Sequence, residues 1–176
     1  MDDGDLVERF TRRLRLFDSN ADGIVRRRDV VAAAERLVRV FRVDPRSIGA
    51  ERIRTAYEML SLALLAEFGD QARDEVAVPR FAEALAADPC RRTDLGHRIA
   101  GADAVAVREC LAPIGASVKA EHVAEVIVVL GAHPGHQWLI QQTLERDAAL
   151  ILRAAVIRPF AAYFAGCGYP GLYGRA

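Results

Sequence analysis

Residues 18–29 read Asp-Ser-Asn-Ala-Asp-Gly-Ile-Val-Arg-Arg-Arg-Asp, a twelve-residue segment with side-chain oxygen at its first, third, fifth and twelfth positions. It lies between two runs of helical pattern. Upstream, Leu6, Val7, Phe10, Leu14 and Phe17 recur on one face; downstream, Val30, Val31, Ala34, Leu37, Val38 and Phe41 do the same. A loop of fixed length between two amphipathic helices, with alternating oxygen donors and a glycine at its centre, leaves few alternatives to a helix–loop–helix cation site.

The chemistry follows from the spacing. Calcium is a hard cation that takes several oxygens at about 2.3–2.6 Å. Asp18, Asn20 and Asp22 offer side chains at alternate positions, and Ile24 offers its backbone carbonyl. Gly23 permits the sharp turn, because a residue without Cβ tolerates positive φ. Val25 is apolar and is expected to point into the core, and Arg26 leaves water as the only ligand at the ninth position. Asp29 closes the loop with a side chain one methylene shorter than glutamate, which favours a smaller, more octahedral site and so brings in magnesium as a competitor. Arg26, Arg27 and Arg28 crowd the loop. An arginine at about 10 Å costs a divalent ion roughly 0.8 kcal/mol at the dielectric of water, less in salt. The expected affinity for calcium is modest.

This segment resembles the EF-hand calcium loop. In that family the eighth loop residue forms a short β-bridge with its counterpart in a paired loop, and an apolar residue follows five positions later. Val25 with Val30 fits this pattern. So do Val76 with Phe81, Val118 with Val123 and Ile151 with Val156, which places further loops at 69–80, 111–122 and about 144–155. Those three lack the ligands. The second offers Gly69, Gln71, Arg73 and Arg80; the third Leu111, Pro113, Gly115 and His122; the fourth Leu144, Arg146, Ala148 and Ala155. They are expected to be structural pseudo-hands. Helical pattern covers Ile48–Phe68, a segment around Phe81, Ala84 and Leu85 that stops at Asp88-Pro89, and then about 94–111, 120–130, 137–146 and 150–165. The four units, the long helix after residue 48 and the aromatic tail Gly171-Leu172-Tyr173-Gly174 resemble the sarcoplasmic calcium-binding and calerythrin-like proteins, including their actinobacterial members. The resemblance implies compact calcium buffers or sensors, and only the first loop here keeps the ligand pattern.

At 176 residues and 52% hydrophobic content the chain has enough apolar material for a folded core. Its formal net charge of zero provides no global field for nucleic acid or anionic membrane. The acidic opening Met1-Asp2-Asp3-Gly4-Asp5, the lack of an apolar run near the ~18 residues of a membrane span, and Cys90, Cys110 and Cys167 without close pairing indicate a cytoplasmic setting. The cysteines read as core or surface residues.

Other chemistry is sparser. Glu121, His122, His133 and His136 are the candidate acid–base groups, with His97, Glu145 and Asp147 behind them. His133 and His136 flank Pro134-Gly135, which makes a turn, and a zinc site there needs further ligands such as Glu121, His122 or Cys110. Trp138, Tyr163, Phe164, Tyr169 and Tyr173 are either aromatic core or the lining of an apolar cavity. Arg9, Arg12, Arg13 and Arg15, with Asp5 and Glu8, read as a solvated helix face, as do Asp103, Arg108 and Glu109.

The expected fold is all-α, with four helix–loop–helix units in two paired lobes, residues 1–89 and 90–176, three units being degenerate. The expected function is calcium binding at Asp18, Asn20, Asp22, Ile24 and Asp29, with the ion stabilising the fold or modulating a partner surface. The alternative is a repurposed EF-hand scaffold, acting as an enzyme such as a cyclase, or as a binder of a small hydrophobic molecule in a biosynthetic pathway. Catalytic, dinucleotide and phosphate-loop motifs that would select a reaction do not occur.

Overall fold

The structure, a computed structural model, describes residues 3–70, 72–146, 150–152, 155–166, 169 and 172–173. Its order is α1 (Asp3–Arg15), β1 (Ile24–Arg26), α2 (Arg27–Val40), α3 (Ile48–Phe68), β2 (Glu75–Ala77), α4 (Val78–Ala87), α5 (Pro89–Cys110), β3 (Ser117–Lys119), α6 (Ala120–Val129), α7 (Gln137–Glu145), β4 (Leu150–Leu152) and α8 (Ile157–Phe164). The fold is all-α, the strands being three-residue bridges between loops.

The bridges pair as the loop register predicts. β1 runs antiparallel to β2 with Val25 opposite Val76, and β3 antiparallel to β4 with Val118 opposite Ile151. All four of these side chains are buried. A strand pairing of this length turns alternate residues to opposite sides, so the apolar eighth residue faces the helices while its neighbours face the loops.

Local signals set most helix ends. Ser47 caps α3, its hydroxyl accepting from Ala50 N at 3.1 Å. Asp88 caps α5 by accepting from Cys90 N at 3.0 Å. Here the structure corrects the sequence reading. Pro89 was expected to end a helix, with the next beginning near residue 94, but it is the first residue of α5. Proline at that position loses no intrahelical bond, and its fixed φ already suits the helix. Asp88-Pro89 therefore closes α4 and opens α5 with no loop between them. The expected helix from residue 150 also begins later, at Ile157, because Leu150–Leu152 is spent on the bridge with β3.

The hydrophobic core is contiguous among the described residues and draws on α1 through α8. α3 packs along both α2 and α5, α5 along α8, and α2 touches α6. Gly131, after α6, sits at φ +125° against the Leu16 carbonyl, where any Cβ would collide.

A buried ionic cluster lies at the centre and overturns one expectation. Arg13 and Asp103 were assigned to solvated faces, yet both are 0% exposed. The Arg13 guanidinium forms a two-pronged pair with Asp103: Nε donates to Oδ2 at 2.9 Å and Nη2 to Oδ1 at 2.6 Å. Tyr57 donates its hydroxyl to Asp103 Oδ1 at 2.9 Å, and Tyr173 donates to Oδ2. Burial opposes the Arg13 charge, but the Asp103 carboxylate outweighs it and holds the guanidinium protonated. Burial, followed by the Asp103 charge, pushes both tyrosine hydroxyls well above their usual range, so they remain donors. The rest of the α1 face is mixed. Arg12, only 20% exposed at its side chain, pairs with Glu8 at 3.6 Å, whereas Arg9 donates to the Tyr163 carbonyl at 2.7 Å.

Breaking a buried pair strands a charge, which typically costs about 3–5 kcal/mol. Asp103→Ala is expected to destabilise the protein by that amount in a denaturant titration. The quadruple replacement Arg13→Met, Asp103→Leu, Tyr57→Phe and Tyr173→Phe should lose markedly less, because neither a charge nor a buried hydroxyl is left unpaired.

Candidate metal centre

The candidate centre is built where α1 ends. Its helix stops at Arg15, and Phe17 anchors the exit by burying its ring under the Arg13 guanidinium, 4.3 Å from the ring centre. Phe17 also meets Tyr57 edge-on at 6.1 Å. Asp18 follows immediately, so the position of the first expected ligand is fixed by the core.

Asp18 organises the loop. Its Oδ1 accepts from Asp22 N at 3.1 Å and its Oδ2 from Gly23 N at 2.9 Å. Gly23 adopts φ +77° with nothing within 4 Å of a would-be Cβ, so its role here is conformational rather than steric. Asp22 Oδ1 accepts from Ile24 N at 2.8 Å, which turns the chain into β1. Asp22 Oδ2 accepts from Asn20 Nδ2 at 3.0 Å and from Arg26 Nη1 at 2.8 Å. The hydrogen bond from Arg26, then those from Asn20 and the Ile24 backbone, lower the Asp22 pKa below the ordinary aspartate value. Asp29 Oδ2 accepts from Arg26 N at 2.9 Å, tying the start of α2 to the loop's last residue.

The donor set fits a hard divalent cation in kind: three carboxylates, one amide and one carbonyl, all oxygen. Its present arrangement is folded on itself. Among the described residues no three His, Cys, Asp or Glu side chains gather as a cation requires. Asp22 is engaged by a guanidinium and Asp29 by a backbone amide. A cleft of about 320 Å³ beside the loop is lined by Arg15, Asp18, Ala21, Gly23, Val78 and Pro79.

In the other loops the structure shows what replaced the ligands. In the second, Asp70 Oδ1 accepts from Ala72 N at 3.0 Å, and Asp70 O accepts from Arg73 N at 3.1 Å. In the third, residues Ala112–Ile114 form a 3-10 turn, followed by Gly115 at φ +127°. Ala148, a ligand position of the fourth loop, and Gln71 of the second lie outside the described residues.

The acid–base candidates separate into two pairs. His122 Nε2 lies 3.7 Å from Glu121 Oε1 at the start of α6. His133 and His136 stack at 5.5 Å between ring centres on the turn before α7. His133 Nδ1 accepts from Gly135 N at 3.1 Å. That bond already engages Nδ1, one of the two ring nitrogens a metal could use. His97 lies elsewhere, in a cleft of about 270 Å³ with Leu6, Gly96, Ala161 and Phe164. Glu145 is engaged by Gln141 at 2.7 Å, and Asp147 lies outside the described residues.

Trp138 does not line a cavity, since its side chain is 66% exposed. Tyr163, Phe164 and Tyr173 are mutually packed core, with Tyr163 and Tyr173 rings 5.0 Å apart and Phe164 4.8 Å from Phe10. Tyr169 is half-buried against the same cluster. Arg13 and Asp103 are the residues that sequence reasoning missed. The signal was present: Arg13 lies three after Phe10 and four before Phe17, and Asp103 four after Ile99 and four before Val107, all on buried faces.

Helix pairs joined through short antiparallel bridges make an all-α fold that resembles that of solved EF-hand calcium-binding proteins. No family model matches the chain, and no curated protein matches it in sequence. Solved structures do match. A Streptomyces coelicolor calcium-binding protein, described in connection with prokaryotic calcium-mediated regulation, aligns at TM-score 0.69 and 20% identity, covering 90% of this chain and 97% of that one. The coelenterazine-binding protein of Renilla muelleri, in a calcium-loaded apo form, aligns at TM-score 0.64 and 14% identity, covering 100% of this chain and 99% of that one. No helix among the described residues is long and apolar enough to cross a membrane.

Cys110 is buried, and burial, with Glu109 adding to it, pushes its thiol up to about 12. Only the thiolate reacts readily. Alkylation of the native protein at neutral pH, mapped by mass spectrometry, is expected to label the exposed Cys90 and to leave Cys110 unmodified until the chain is unfolded.

Proposed function

We propose that the protein binds one calcium ion in its first loop, through the side chains of Asp18, Asn20, Asp22 and Asp29 and the carbonyl of Ile24. The observation that carries this reading is the loop itself. A twelve-residue oxygen-rich segment hangs between α1 and α2 with its eighth residue, Val25, bridged to Val76 as an EF-hand pair requires. Asp18 already holds the Gly23 amide, so the turn that wraps an ion exists before the ion arrives. Asn20 and Asp22 have to exchange internal hydrogen bonds for the metal, and the short Asp29 side chain has to leave the Arg26 amide or serve with one oxygen. Both demands lower affinity, and the second admits magnesium as a competitor.

On this reading the later three loops are scaffold, and the chain is a calerythrin-like protein organised as paired hands over 1–89 and 90–176. One site of modest affinity stores little calcium, so the ion stabilises or regulates the fold rather than being buffered. A cytoplasmic setting suits the unpaired thiols of Cys90 and Cys110.

A second reading, small-molecule binding or catalysis on the same scaffold, is favoured by the cleft that places His97 and Thr93 beside the apolar Leu6, Ala161 and Phe164. The Renilla protein, named for binding coelenterazine, shows a related fold associated with such a ligand.

Calorimetric titration with calcium is expected to show a single site, weakened by excess magnesium and abolished by Asp18→Ala. Ion binding to the folded state alone should raise stability by about 2.7 kcal/mol at a hundredfold excess over Kd. Heat of binding that survives Asp18→Ala would exclude the first loop as the site.

A further inference from the structure

The second loop has lost its ligands, yet it places one carboxylate against the first. In the antiparallel pairing of β1 and β2, Glu75 lies directly opposite Arg26. Residues opposed in this way hold their Cβ atoms about 4.5–5.5 Å apart. Glu75 Oε2 lies 3.9 Å from Arg26 Nε, while Arg26 Nη1 lies 2.8 Å from Asp22 Oδ2. The guanidinium thus spans two carboxylates, one in the proposed metal site and one outside it. It holds its hydrogen bond to Asp22 and stands just beyond hydrogen-bond distance of Glu75. The other oxygen of Glu75 lies 3.9 Å from Arg73 Nη1, a solvated contact with a side chain that is 74% exposed.

We infer that Arg26 is an internal counter-cation of the first loop and that calcium binds by exchange, the guanidinium passing from Asp22 to Glu75. The inference rests on the calcium reading above and assigns specificity-determining roles to Arg26 and Glu75, neither of which is a ligand. The physical reason is competition for one acceptor. Asp22 Oδ2 already receives Asn20 Nδ2 and Arg26 Nη1, so it cannot face a divalent ion until the arginine withdraws. A cation left beside the ion would repel it, and the repulsion grows as the inverse of distance. Glu75 supplies the nearest alternative partner and is reached by rotating the end of one side chain, with no change in the strand pairing. A degenerate hand thereby acts on its neighbour's affinity without binding anything. The exchange also discriminates among cations: a monovalent ion gains half the attraction of a divalent one and does not displace the guanidinium.

The test is a double-mutant cycle on calcium affinity, read by calorimetry on the full chain. Arg26→Ala is expected to tighten calcium binding about tenfold. Glu75→Gln should weaken it about fivefold in the wild-type background, but only about twofold with Arg26→Ala, where its distant charge alone remains. Thermal melting supplies a readout that a merely structural role would not move in this way. Without calcium, Arg26→Ala should melt lower than wild type, having lost the contact to Asp22, while binding the ion more tightly. An unchanged or weakened affinity in Arg26→Ala would overturn the inference. Equal effects of Glu75→Gln in both backgrounds would overturn the role of Glu75. Failure of the calcium reading looks different. If the wild type binds no calcium but Arg26→Ala does, in a manner lost with Asp18→Ala, Arg26 shuts the loop and the exchange onto Glu75 is overturned. If neither binds, both fall.

Discussion

The pairing of Arg13 with Asp103 is the interaction on which the rest of the structure depends. It joins α1 to α5 at a point with no exposure to solvent, and it gathers Tyr57 from α3 and Tyr173 from the tail around one carboxylate. Burying two charges is expensive unless the geometry is good and the remaining hydrogen-bonding capacity is met. Asp103 accepts two bonds from the guanidinium and one from each tyrosine, so its two oxygens are fully used, while the buried Arg13 Nη1 has no hydrogen-bond partner among the described residues. The aromatic rings of Phe17 and Tyr173 cover the cation, at 4.3 and 5.4 Å. An apolar core of similar volume would tolerate small shifts among these helices. An ionic cluster with directional bonds specifies one arrangement.

That cluster also orients the candidate site. Phe17, held between Arg13 and Tyr57, immediately precedes Asp18. The loop is therefore anchored at its start by the core and at Val25 by the bridge to Val76. Between these anchors the chain is exposed and held by short hydrogen bonds among its own side chains. The paired second loop closes the bridge and sets Glu75 beside Arg26.

The sequence made the bridge register legible, because an apolar residue between polar loop ends has one physical use in this motif. Val25, Val76, Val118 and Ile151 pair as that logic requires. The proposed ligands come from reasoning of the same kind: cation chemistry constrains both residue type and spacing. What escaped was decided by tertiary contacts. Arg13 and Asp103 carry charge, and charge on a helix ordinarily marks the solvated face, although their spacing from Phe10, Phe17, Ile99 and Val107 put them inward. α4 does stop at Asp88-Pro89, but Pro89 beside its Asp88 cap also starts α5, five residues before the expected position. Trp138 was grouped with the tail aromatics by residue type, but it projects from α7 into solvent. The approach of Glu75 to Arg26 could not be read from either loop alone, since it arises only when the two strands align.

The most direct measurement is a calcium titration followed by amide and arginine side-chain resonances in nuclear magnetic resonance spectra. The account predicts that the Gly23 amide, bonded to Asp18, and the Arg26 Nε–H, poised between Asp22 and Glu75, move together with one saturable midpoint. The Gly115 amide of the third loop should show no binding event of its own. An unmoved Gly23 at millimolar calcium, or a first transition at Gly115, would contradict it.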